Sequence, residues 1–151
     1  MSAPLLTIGH AADQAGVTTR TLRYYEQLDL LTPAGRSVGG ARRYSPADVE
    51  RVARIRQLQD LLGHDLEQIR RVLLAEDRLA EMRAEWRAGA SPARQQELLA
   101  EATDINNSLR AQVKARSAAL QSFADELEET ARRYRRIARE LRADPRTPAP
   151  G

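Results

Sequence analysis

The chain has 151 residues, 24 basic and 21 acidic, with a formal net charge of +3, 30% charged residues and only 4% aromatics. That is room for one compact domain plus an extension, with too few aromatics for a large globular core. The absence of cysteine excludes disulfides, thiolate metal sites and a thiol redox switch, and no apolar run or signal-like N-terminus points to a membrane, so a cytoplasmic protein is expected.

Thr7 is placed to cap a first helix over 8–15, in which Ile8, Ala11, Ala12 and Ala15 share one face. The alanines permit close approach of a crossing helix. Gly16 suits the left-handed residue that ends a helix, Val17 plugs the corner, and Thr18 caps a second helix with Thr21 three residues on. There Leu22, Tyr25 and Leu28 face inward, while Arg20, Arg23, Tyr24 and Gln27 face away. Pro33 closes the unit after Leu30 and Leu31. The segment 35–44, GRSVGGARRY, reads as a short hairpin turned by Gly39 and Gly40. Ser45 and Pro46 supply a cap and a first-turn proline for a third helix, whose stripe is Val49, Val52, Ile55, Leu58 and Leu62 and whose stop is Gly63. Asp65 caps a fourth helix, with Gln68 at the capping-box position and Leu66, Ile69, Val72 and Leu73 on its buried face.

Residues 77–88 form a further amphipathic stretch with Leu79, Met82 and Trp86 aligned, broken by Gly89-Ala90-Ser91-Pro92. From Pro92 to about Arg142 neither Gly nor Pro occurs. This predicts one helix of about 75 Å. Its apolar seam runs through Leu98, Ile105, Leu109, Val113, Leu120, Phe123, Leu127 and Tyr134, with a stutter at Ile105-Leu109-Val113 and interruptions at Arg116 and Thr130. A helix with one apolar seam needs a partner in water. Self-pairing into a homodimer is the expectation; folding back of 77–88, or use of the helix as an adaptor rod for another protein, are the alternatives. The proline-rich end is read as a disordered tail. The expected organisation is mainly α. A winged helix-turn-helix with a small β-hairpin wing covers 1–76, an amphipathic connector 77–91, a dimerisation coiled-coil helix 92–143 and a disordered tail 144–151.

The functional claim rests on Thr19, Arg20, Arg23 and Tyr24 near the start of the second helix and on Arg36, Arg42 and Arg43 in the wing. Guanidinium groups bind phosphates and read guanine bidentately in the major groove, so this constellation points to double-stranded DNA. The arginines at 132, 133, 135, 136 and 139 are read instead as a solvated helix end, interleaved with Glu128, Glu129 and Glu140. Leu79, Met82 and Trp86 could line a pocket for an apolar effector, or Trp86 could be a core or interface anchor. His10 and His64 make a poor metal site. With no nucleophile–base pair, paired carboxylates or phosphate loop, neither an enzyme nor a cofactor is expected.

The runs IGHAADQAGVTTRTLRYYEQLDLL, Arg36, GGARRYS and LGHDLEQIRRVL resemble the MerR family of bacterial transcription regulators, over about Thr7 to Leu74. The resemblance implies a homodimer joined by antiparallel long helices. It also implies binding to palindromes between promoter elements, and bending and untwisting of the spacer so that RNA polymerase engages both elements. The matching recognition-helix positions are Thr19, Arg20, Arg23 and Tyr24; the matching wing positions are Arg36, Arg42 and Arg43, with Tyr44 packing the wing onto the body. Departures are Ala41 at the wing tip, His10 in place of a capping Glu, and His64 before the fourth helix. The missing cysteines and the short end after 142 set the chain apart from the metal-sensing and large-ligand-domain branches. A DNA-binding architectural or adaptor protein remains the alternative to a regulator.

Overall fold

The structure, a computed structural model, describes residues 4–63 and 65–144. His64 and the tail beyond 144 lie outside them. Eight elements follow in order: β1 (Leu6–Thr7), α1 (Ile8–Ala15), α2 (Thr19–Gln27), β2 (Gly35–Arg36), β3 (Arg42–Tyr44), α3 (Pro46–Leu62), α4 (Leu66–Arg87) and α5 (Pro92–Ala143).

The caps fall where their side chains dictate. Thr7 accepts the His10 amide and Thr18 the Thr21 amide, while Gly16 ends α1 at φ 64°. Ser45 and Asp48 form a reciprocal capping box at the start of α3, and Asp65 accepts the Gln68 amide at the start of α4. Each cap satisfies amides that the first helical turn leaves unpaired. Asp29 takes the left-handed conformation at φ 56° after α2, and the amides of Leu30 and Leu31 both close onto the Tyr25 carbonyl.

One core serves the first unit. Ala11, Ala12 and Ala15 of α1 pack with Leu22 and Tyr25 of α2, Val52, Ile55, Leu58 and Leu62 of α3, and Ile69 and Leu73 of α4. Leu30, Leu31 and Tyr44 complete it. Arginines of α3 tie its edges. Arg56 Nη1 donates to the carbonyls of Ala15 at 3.3 Å and Gly16 at 3.2 Å, so it caps the turn between α1 and α2. Arg51 Nε donates to the Leu30 carbonyl at 2.6 Å and Nη1 to Asp77 at 2.7 Å. Arg54 pairs with Glu76.

Three features depart from the sequence reading. The wing is not a lone hairpin: β1 joins it, giving an antiparallel sheet in the order β1-β3-β2, with Leu6 opposite Tyr44 and Thr7 opposite Arg43. A two-residue strand carries no periodicity and is invisible to pattern reading. The fourth helix does not pause near 77 but runs unbroken to Arg87. Leu98, expected on the dimer seam, is 2% exposed within the single chain and belongs to the first compact unit. The first turns of α5 are held to α4 by Arg94, which donates to Glu85 at 2.6 and 3.1 Å and to Glu97 at 2.9 Å. This pairing holds the Glu85 carboxyl below its ordinary range.

Residues 99–143 of α5 form the body of the second unit. Val113, Leu120, Phe123, Leu127 and Tyr134 are each more than half exposed there, while Ile105 and Leu109 are partly covered.

Candidate nucleic-acid interface

The outward face of α2 is set by its inward one. Leu22 and Tyr25 are buried, which forces Arg20, Arg23, Tyr24 and Gln27 into solvent. With Thr18 and Thr21, these four side chains line a shallow cleft along the helix. Tyr24 and Tyr25 divide the work. Tyr25 is 3% exposed and its hydroxyl donates to Gln59 Oε1 at 2.9 Å; burial pushes its phenol upward, opposed by the Arg56 charge. Tyr24, with a ring centroid 6.3 Å from that of Tyr25, stands 46% exposed.

The wing is built as tightly. Gly40 at φ 81° lets its amide reach the Ser37 carbonyl at 2.8 Å, and the Ser37 amide reaches the Ala41 carbonyl at 2.8 Å. Arg36 Nη1 donates to the Gly40 carbonyl at 3.0 Å, so one predicted DNA residue is partly used to hold its own turn. Arg36 lies directly opposite Arg42 across the ladder. Like charges so placed repel, and both arginines have an acceptor that offsets it.

Arg42 departs most from expectation. Its Nε donates to Glu26 Oε2 at 2.5 Å, and Tyr44 donates its phenolic proton to Glu26 Oε1. Alternation along β3 puts Arg42 and Tyr44 on the face turned to α2 and Arg43 on the other. Arg42 is therefore first a strut between wing and helix, whereas Arg43 is left to the opposite side. Tyr44 is 1% exposed, consistent with its packing the wing onto the body. Desolvation raises the Tyr44 phenol most, the hydrogen bond to Glu26 adds to this, and the charges of Arg42 and Arg23 oppose it. Arg23 of the recognition face thus lies within electrostatic reach of the same cluster.

Glu26 was missed by sequence reading. The signal was available: it stands one turn beyond buried Leu22, so an acidic side chain with 11% exposure sits on the apolar face of α2. A carboxylate so little exposed requires partners. Of the three residues that could line an effector pocket, Met82 is 4% exposed and covered by its own chain, Leu79 is half-buried, and Trp86 is 43% exposed. Among the described residues no group of three or more acidic or histidine side chains could hold a metal ion, and no helix is long and apolar enough to cross a membrane.

Residues 6–76 match the model of the MerR HTH family regulatory proteins. An uncharacterized HTH-type transcriptional regulator of Pseudomonas aeruginosa is 43% identical over 68 residues, covering 45% of this chain and 51% of the relative. The HTH-type transcriptional activator TipA of Streptomyces coelicolor is 41% identical over 93 residues, covering 62% and 33%. The chain thus spans about half or less of the length of these curated relatives. Among solved structures, HiNmlR, a MerR family regulator lacking the sensor domain and bound to promoter DNA, superposes with a TM-score of 0.50 at 23% identity, covering 89% of this chain and 94% of that one. This last likeness concerns the fold.

Proposed function

We propose that this chain, a member of the MerR family through its residues 6–76, is a homodimeric, sequence-specific regulator of transcription acting on a palindromic promoter site in the cytoplasm. The recognition face Arg20, Arg23 and Tyr24 enters the major groove, and the wing carries Arg36 and Arg43 to the flanking backbone. Two copies join through the seam of α5, which fixes the separation of their recognition helices. The duplex bends or untwists to meet both, and RNA polymerase engages the realigned promoter.

The observation that carries this reading is the pairing of two exposed surfaces in one chain. An arginine-rich face lies on the second helix of a helix-turn-helix, and an apolar stripe from Val113 to Tyr134 lies open on α5. A single copy leaves that stripe in water, and burying it is strongly favourable. The test is selection of duplexes from a random-sequence pool, with sedimentation of the free and bound protein. Enriched palindromes bound by dimers support the reading. Asymmetric sites bound by monomers overturn it in favour of an adaptor whose α5 recruits a different protein.

A further inference from the structure

Resting on the DNA-binding reading above, we infer that Glu26 is a positioning residue whose carboxylate withholds Arg42 from DNA and locks the wing to the recognition helix. Three observations converge. Glu26 is the one acidic side chain on α2, and it points inward with 11% exposure. Both its oxygens are taken from the same strand, Oε2 by Arg42 Nε and Oε1 by the Tyr44 hydroxyl. Residue 43, between those two donors, is turned to the other face by the strand pleat.

The consequence is mechanical and electrostatic. A bidentate hold at one point of α2 leaves the central strand of the wing no freedom to swing about the helix. Arg23 and Tyr24 on α2 and Arg43 on β3 then approach DNA with a fixed separation. Sites held this closely lose function when a supporting contact loosens by about 1 Å. Arg42 keeps 37% of its side chain exposed, but its Nε is paired with a carboxylate only 11% exposed, so its charge is already compensated and it releases less of a counterion on binding than a phosphate-facing arginine does. The wing therefore presents one fewer free cation than its sequence suggests. Non-specific affinity is restrained and discrimination is kept.

The experiment uses the full chain, a duplex that wild type selects from a random pool, and a scrambled duplex of the same composition. Glu26→Gln keeps the shape and removes the charge. It should lower the ratio of selected to scrambled affinity by about tenfold, within the range of a lost specific contact. The log–log salt slope on scrambled DNA should steepen by about one unit, because Arg42 is released. Glu26→Gln with Arg42→Gln should return the slope to wild type but not the ratio. Tyr44→Phe should lower the ratio with no change of slope. If Glu26→Gln shifts only the thermal midpoint, leaving ratio and slope untouched, Glu26 is merely structural and the inference fails. It fails too if Arg42→Gln alone flattens the slope as much as Arg43→Gln. Amide hydrogen exchange over residues 36–43 without DNA tests the clamp separately: faster exchange in Glu26→Gln supports it, and unchanged exchange overturns it. If wild type selects no duplex while exchange still responds, the regulatory reading fails and the clamp stands.

Discussion

Glu26 on α2 and Tyr44 on β3 are 18 positions apart in sequence and joined by a hydrogen bond in which the phenol donates to the carboxylate. The bond connects α2 to the central strand of the wing, from a side of both that is little exposed. Burial of the phenol first, and this bond second, shift its titration upward. The folded-state pKa of Tyr44 is raised above its ordinary value of 10.0, so the native protein keeps a proton that the unfolded chain releases. The stabilisation is fully present below pH 10 and is lost progressively as pH rises from there through the folded pKa. Tyr44→Phe should flatten the alkaline fall in stability and remove the latest phase of tyrosinate absorbance. An unaltered alkaline fall in stability in the variant, with the lost absorbance lying near the ordinary value of 10.0, would show that the phenol ionises freely.

Ile55 on α3 is fully buried among residues of α1, α2 and α4. Ile55→Ala should destabilise the N-terminal unit by about 2–5 kcal/mol, the usual cost of truncating a packed aliphatic side chain. Chemical denaturation followed by helical circular dichroism measures it. A loss below about 1 kcal/mol would mean that the core around α3 collapses to fill the space.

Much of this fold was legible because its boundaries are chemical. Thr7, Thr18, Ser45 and Asp65 cap helices through side-chain oxygens that the sequence names directly, and Gly16 and Gly63 stop them. The inward faces of α1 to α4 follow from spacing alone. What was hidden has a physical reason in each case. Strand β1 is two residues long and exists only through pairing with β3. Leu98 obeys the seam periodicity, but the turn at Gly89 folds α5 onto α4, and Arg94 fixes it there through Glu85. Arg42 looks like any other wing arginine until Glu26, 16 positions earlier, is found beneath it. Local spacing reports which face a side chain takes, not which distant group shares that face.

The recognition face should divide into base-reading and backbone-gripping residues. Arg20→Ala or Arg23→Ala should each weaken binding to the selected duplex by about 1–3 kcal/mol and relax the sequence preference at one position per half-site. Arg43→Ala should weaken selected and scrambled duplexes alike and flatten the salt slope by about 0.9. Equal binding of wild type and all three variants across a salt titration would remove this face from the interface.

Leu120 and Leu127 stand two turns apart on the open stripe of α5, 59% and 55% exposed in the single chain. Replacing both with Asp would place carboxylates in a dimer seam, each costing several kcal/mol unless it protonates or the helices part. Monomers by analytical ultracentrifugation and loss of tight palindrome binding are the expected result, with the helix-turn-helix unit still folded. A double variant that sediments as a dimer would place the self-contact elsewhere.

If α5 joins two copies, the spacing of the two recognition faces is set by the protein rather than by the duplex. The Glu26 clamp makes each half rigid as well, so little of the mismatch with straight B-form DNA can be absorbed by the wings. The DNA must take up the remainder. Bending or untwisting a site of this size costs about 1–6 kcal/mol, with flexible pyrimidine–purine steps at the lower end. Operators with identical half-sites and different centres should therefore differ in affinity although no side chain touches the centre. The bound duplexes should also migrate as bent in gel-mobility assays. Glu26→Gln should reduce this dependence on the centre, because loosened wings share the strain. Equal affinity for stiff and flexible centres, with bound DNA as straight as free DNA, would replace deformation by simple steric occlusion of the promoter.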